Sequence, residues 1–128
     1  MTRILVRRSA VTAGAVVLAV AEYATVRWGA GIDLAARTGA STRAVSVTAV
    51  AVAAALAALA GWGLLALLER VTTRARALWT TIAVVVLLIS LVGALGGVGA
   101  GAVATFVLLH LTVGVVLIVG LPGREVTR

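Results

Sequence analysis

A chain of 128 residues that is 62% hydrophobic and only 12% charged falls outside the usual composition of a soluble globular domain. The absence of cysteine excludes disulfides, iron–sulfur ligation and thiol chemistry. The net charge of +7 comes from arginine alone, placed in short groups between apolar stretches, which suits anionic lipid head groups better than a nucleic-acid groove.

Four apolar stretches, each close to the roughly 20 residues of a membrane-spanning helix, predict an all-α membrane protein. The predicted fold is a single four-transmembrane-helix bundle over residues 1–128. Its helices are expected at about 10–28, 44–68, 78–95 and 102–121, and the last ends at Pro122 and Gly123. Four spans leave too little chain for a soluble catalytic domain, so we expect no enzyme and no cofactor.

A glycine-rich segment without charges, 96–101, separates the third and fourth stretches. A single helix over residues 78–121 would reach about twice the bilayer thickness, so the segment predicts a tight hairpin turn at the membrane surface. The glycines at 97, 99 and 101 also resemble the spacing of a phosphate-binding loop. Such a loop follows a strand in a nucleotide-binding unit, and this context argues against it.

The arginines predict an orientation, because basic residues accumulate on the cytoplasmic side. With both termini in the cytoplasm of a multi-pass plasma-membrane protein, eight arginines lie inside and three lie outside or at the outer boundary. Trp28 and Trp79 fit aromatic anchoring at the outer and inner interface. The inner arginines are Arg3, Arg7, Arg8, Arg70, Arg74, Arg76, Arg124 and Arg128, and the outer ones are Arg27, Arg37 and Arg43.

The first stretch has a second interpretation as a cleavable signal peptide. A basic start precedes an apolar core, and Ala19, Val20 and Ala21 form a small-x-small site before Glu22. Cleavage there would leave three spans.

Ionisable groups inside spanning segments are costly and are therefore functional candidates. Glu22 in the first helix and His110 in the fourth lie at similar depth, so a direct contact is geometrically feasible, and Ser90 lies near that level. The three residues form a candidate intramembrane proton or polar site, or else a structural clamp between helices. A lone histidine and a lone glutamate do not make a metal site.

Small residues mark the faces on which the helices are expected to pack closely. In the second helix Ala53, Ala57 and Gly61 form such a stripe. Glu69 and Arg70 close that helix, and together with Arg74 and Arg76 they predict a solvated cytoplasmic turn. The residues assigned to helix packing are Gly61, Trp62, Gly93, Gly97 and Gly114.

Several short motifs carry a resemblance to a family: the segment Gly61–Arg70, Trp79, the run 90–93, His110 followed by Leu111, and the run 117–121. They resemble a family of small actinobacterial four-helix membrane proteins of unknown function. The resemblance covers about residues 10–121. It implies the helix count and supplies no activity.

A second resemblance is to small multidrug resistance exporters, which have four spans and a membrane-embedded glutamate in the first helix. Glu22 matches that glutamate, but the third helix lacks the aromatic residues of such exporters. We therefore expect an accessory or structural bundle in the lipid bilayer, joined to a second copy or to another membrane protein, with proton-coupled transport as the alternative.

Overall fold

The computed structural model describes residues 2–123, and they form four long helices with a short β-hairpin. Arg124 and Arg128, assigned to the cytoplasmic side, lie outside the described residues. The helices are α1 (Thr2–Ala24), α2 (Val47–Val71), α3 (Ala75–Ala94) and α4 (Ala100–Gly120). All four are long and apolar enough to cross a membrane, which confirms the predicted number of membrane-length apolar helices.

The helix ends differ from the expected ones, above all in α1. This helix begins at Thr2 and continues as a π-helix over Thr25–Gly29, so Arg7 and Arg8 lie within it and do not precede it. At the end of α2, the helix extends to Val71 and includes Glu69 and Arg70, so the turn is shorter than expected, and Glu69, Arg70, Arg74 and Arg76 are all exposed. Apolar periodicity could not place these ends, because a helix continues past its apolar core wherever polar side chains find partners.

The helices pack in a closed ring. Each helix contacts the next one along the chain, and α4 packs back against α1. The predicted reversal between α3 and α4 is confirmed: α3 ends at Ala94, and α4 begins at Ala100 after a short turn. Gly99 has a φ of +88° at the helix start, where a side chain would be strained.

A two-stranded antiparallel hairpin, β1 (Ala35–Thr38) and β2 (Ser41–Ala44), connects α1 to α2. The amide of Arg37 donates to the carbonyl of Gly96 at 2.9 Å, and the amide of Val98 donates to Ala35 at 2.9 Å. The hairpin therefore covers the α3–α4 turn and pairs with its backbone.

Two apolar clusters fill the bundle, one toward the hairpin end and one toward the α2–α3 end. Trp79 belongs to the second cluster and is only 2% exposed. Its indole N–H donates to the carbonyl of Gly61 on α2 at 2.9 Å. The expectation of Trp79 as an interfacial anchor is therefore wrong, because the indole finds its partner inside the bundle, whereas Trp28 is 67% exposed.

Candidate functional site

Glu22 lies on the inward face of α1, on the side that also carries the buried Ala15 and Ala19. The hydroxyl of Thr112 on α4 donates a hydrogen bond to Glu22 Oε1. The second oxygen, Oε2, is buried and has no hydrogen-bond partner among residues 2–123. The structure thus joins α1 and α4 through a carboxylate–hydroxyl contact within the spanning region.

His110 takes a different place from the one anticipated beside Glu22. Its Nδ1 lies 2.6 Å from the carbonyl oxygen of Phe106, one turn earlier on the same helix. Each residue of an α-helix is rotated by about 100° from the one before it. Thr112 lies two residues after His110, so the two side chains point to nearly opposite sides of α4. Because Thr112 faces Glu22, no hydrogen bond joins His110 to that carboxylate.

Ser90 is also satisfied within its own helix, since its hydroxyl donates to the carbonyl of Leu87 at 2.7 Å. No hydrogen bond links Ser90, Glu22 and His110 to one another. The described contacts therefore bring Glu22 together with Thr112, a residue that the sequence did not single out. Within residues 2–123 no group of three histidines or acidic residues could hold a metal ion.

The glycines assigned to helix packing fall into different environments. A Cβ at Gly114 would lie 2.7 Å from a methyl carbon of Leu87, so α3 and α4 approach closely there. A Cβ at Gly97 would lie 2.8 Å from the backbone nitrogen of Val103, although Gly97 is in the turn and not on a helix.

The remaining packing residues are less uniform. The carbonyl of Gly61 accepts the Trp79 indole N–H, and a Cβ there would lie 3.7 Å from that ring, an ordinary contact that does not require glycine. Trp62 is half-buried against the same cluster. At Gly93 a Cβ would meet nothing within 4 Å, and the residue is exposed. Gly93 therefore makes no close helix contact within one chain.

A second polar site lies at the other end of α1 and was missed by the sequence analysis. Arg8 is only 4% exposed, and its guanidinium binds both oxygens of Glu69 on α2, at 2.5 and 3.2 Å. The Nε of Arg8 donates to the carbonyl of Leu121 at the end of α4, at 3.2 Å. One side chain thus ties together three helices, and we name Arg8, Glu69 and Leu121 the arginine clamp.

Arg7 extends this contact to the carbonyls that follow α4. Its NH2 group donates to Leu121 at 3.1 Å and to Pro122 at 3.0 Å. Cationic side chains at a helix C-terminus satisfy orphan carbonyls and complement the helix dipole. A usable signal existed, because Arg8 lies seven residues before Ala15 and so shares the inward face of α1.

Thr112→Val tests the Glu22 contact. The substitution keeps the shape of the side chain but leaves both Glu22 oxygens without a donor, so we expect a loss of about 1–3 kcal/mol in unfolding free energy. Thr105→Val is the matched control, because the buried Thr105 hydroxyl bonds only Gly101 of its own helix. Unfolding in mixed micelles, followed by circular dichroism, should show the larger loss for Thr112; equal losses would contradict a cross-helix role.

Comparison with known proteins adds a family. The model of a family described as "Family of unknown function (DUF6069)" matches residues 1–127, and the chain belongs to that family. No curated protein and no solved structure matches the chain.

Proposed function

We propose that this member of the DUF6069 family is an accessory, complex-forming component of the plasma membrane and not an enzyme. The observation that carries the proposal is the use of its interior polar groups: Glu22 is bound by Thr112, and Arg8 by Glu69. Each contact joins different helices and stiffens the bundle. Proton-coupled transport, the alternative, would use the same carboxylate, of which Thr112 binds one oxygen, Oε1, and no other polar side chain of residues 2–123 contacts it to form a relay.

The outward faces of α2 and α3 suggest how such a complex forms. On α3 the exposed side chains are mostly large and apolar, as suits acyl chains. On α2 a line of alanines at helical spacing is also exposed, formed by Ala49, Ala53, Ala57 and Ala60, and the exposed large side chains Val52, Leu56 and Leu59 flank it. Small side chains let another helix approach closely, and the flanking large ones can pack against that helix.

We assign this α2 surface to a second copy of the chain, and a pair of bulky substitutions tests it. Ala53→Leu with Ala57→Leu should abolish the dimer by holding the helices apart. Ala13→Leu with Ala104→Leu makes the same change at exposed alanines of α1 and α4 and should leave association intact. Energy transfer between labelled copies in lipid vesicles measures the outcome. A monomeric wild-type chain, or equal loss in both variants, would refute self-association through α2.

The proposal includes an orientation with the arginine clamp and the α2–α3 turn in the cytoplasm and the hairpin outside, supported by the arginine bias. Because the chain has no cysteine, single cysteines report on it directly. In intact cells, a membrane-impermeant thiol reagent should label Ala40→Cys in the hairpin and spare Val71→Cys at the end of α2. The reverse pattern would invert the topology.

We also propose that the first helix is retained in the mature protein. Ala15 and Ala19, which cleavage after Ala21 would remove, are 0% and 1% exposed within the bundle. The arginine clamp also depends on the start of α1. N-terminal mass analysis of the purified protein distinguishes retention from cleavage.

A further inference from the structure

A depression of about 510 Å³ lies at the α2–α3 end of the bundle. It is open to the surroundings and is lined by two basic and two hydroxyl side chains, with one alanine between them. We name it the basic depression; its lining residues are Thr73, Arg74, Arg76, Ala77 and Thr80.

The charges of the basic depression are not balanced by the rest of the described chain. Arg8 and Arg27 each form an ion pair, with Glu69 and Asp33 respectively. Arg74 and Arg76 form none within residues 2–123, and both are exposed. Two guanidinium groups beside one space repel each other, and an anion between them removes that repulsion.

The other lining groups also suit an anion with several oxygens. The hydroxyls of Thr73 and Thr80 can donate, and no carboxylate lines the depression. Arginine guanidiniums bind phosphate oxygens in a bidentate manner, which makes phosphate the preferred anion. The start of α3, where Arg74 lies, has no side-chain cap, so no side-chain acceptor there competes with an anion for the first backbone amides of the helix.

The position of the depression identifies the source of the phosphate. Val84 and Leu88 follow Thr80 along α3 at steps of four residues and therefore lie on the same side of the helix. Their side chains are 39% and 59% exposed. A phospholipid whose phosphate occupies the depression can lay an acyl chain along them. A free phosphate would contact only the polar part of this surface.

We propose that the basic depression binds the phosphate of an anionic phospholipid, with Arg74 and Arg76 as its principal contacts. Basic pockets at the ends of spanning helices bind anionic head groups by the same electrostatics. The lipid is a structural ligand of the α2–α3 turn, separate from the α2 surface assigned to self-association. The inference does not depend on the function proposed above.

Native mass spectrometry of the full chain in detergent tests the proposal, with phosphatidylglycerol and phosphatidylcholine as probes. The wild type should bind phosphatidylglycerol more tightly. Arg74→Gln with Arg76→Gln should weaken that binding roughly 30-fold, because each basic residue near an anionic lipid surface contributes to the binding free energy. Arg37→Gln with Arg43→Gln removes the same charge from the hairpin and should leave the affinity unchanged. Equal weakening in both variants would show that the affinity depends only on the net charge of the protein, which would overturn the proposal.

Two further arms separate the sources of phosphate and guard against misfolding. Excess inorganic phosphate should not displace phosphatidylglycerol; complete displacement would identify a free-anion site and overturn the lipid assignment. Arg74→Lys with Arg76→Lys keeps the charge and the fold but loses the bidentate geometry, so its affinity should fall between those of the wild type and the glutamine variant. Wild-type affinity in a folded glutamine variant, checked by circular dichroism, also overturns it.

Discussion

Glu69→Gln is expected to lower the free energy of unfolding by about 2 kcal/mol. The substitution leaves the Arg8 guanidinium, in a side chain only 5% exposed, without its counter-charge. Removing one partner of a fully buried ion pair costs about 3–5 kcal/mol. The Glu69 side chain is 45% exposed, so water already weakens the pair and the expected loss is smaller. Detergent-induced unfolding followed by circular dichroism measures it.

Asp33→Asn provides the matched control for this experiment. It removes the carboxylate charge from the Arg27–Asp33 pair, whose side chains are 40% and 88% exposed. Exposed pairs contribute little, so we expect a change below about 0.5 kcal/mol. A double-mutant cycle that combines Glu69→Gln with Arg8→Gln should give a coupling free energy of about 1–3 kcal/mol between these two residues. Additive effects of the two substitutions would show that Arg8 stabilises the bundle through the Leu121 carbonyl alone.

The number of spans and the turn at 96–101 could be predicted because both follow from apolar length and from glycine, which act locally along the chain. The hairpin could not. Its strands have four residues each, with alanine, arginine, threonine and serine in place of an alternating apolar pattern. Its partner is the backbone of the α3–α4 turn, Gly96–Val98, and a backbone partner leaves no trace in side-chain patterning.

The candidate site shows a similar division. Helical periodicity places Glu22 on the same face of α1 as the small residues Ala15 and Ala19, and the structure has these two alanines buried against the bundle. The partner on α4 could not be inferred, since α4 is apolar all round and its rotation about its own axis is set by packing. That rotation decides whether Thr112 or His110 faces Glu22. The partners of Arg8 in the arginine clamp could not be inferred for a similar reason, because the clamp requires the ends of three helices to lie at one level.

Trp79→Ala is expected to be the most destabilising single substitution described here, lowering the unfolding free energy by about 3–5 kcal/mol. Trp79 is among the largest fully buried side chains, and its truncation leaves a cavity beside Leu65 and Leu121 in the second apolar cluster. The substitution also removes the hydrogen bond to Gly61, which lies on a different helix. Unfolding in mixed micelles, with helicity followed by circular dichroism, measures the loss.

Trp28→Ala makes the same chemical change at an exposed position. Trp28 contacts the ring of Tyr23 edge-on, with centroids 5.9 Å apart, and such a pair contributes about 1 kcal/mol. Trp79→Phe separates the two roles of the buried residue, because phenylalanine retains most of the packing but cannot donate to Gly61. We expect Trp79→Phe to fall between the two alanine variants. If Trp79→Ala costs no more than Trp28→Ala, the packing of Trp79 in the second cluster does not stabilise the bundle.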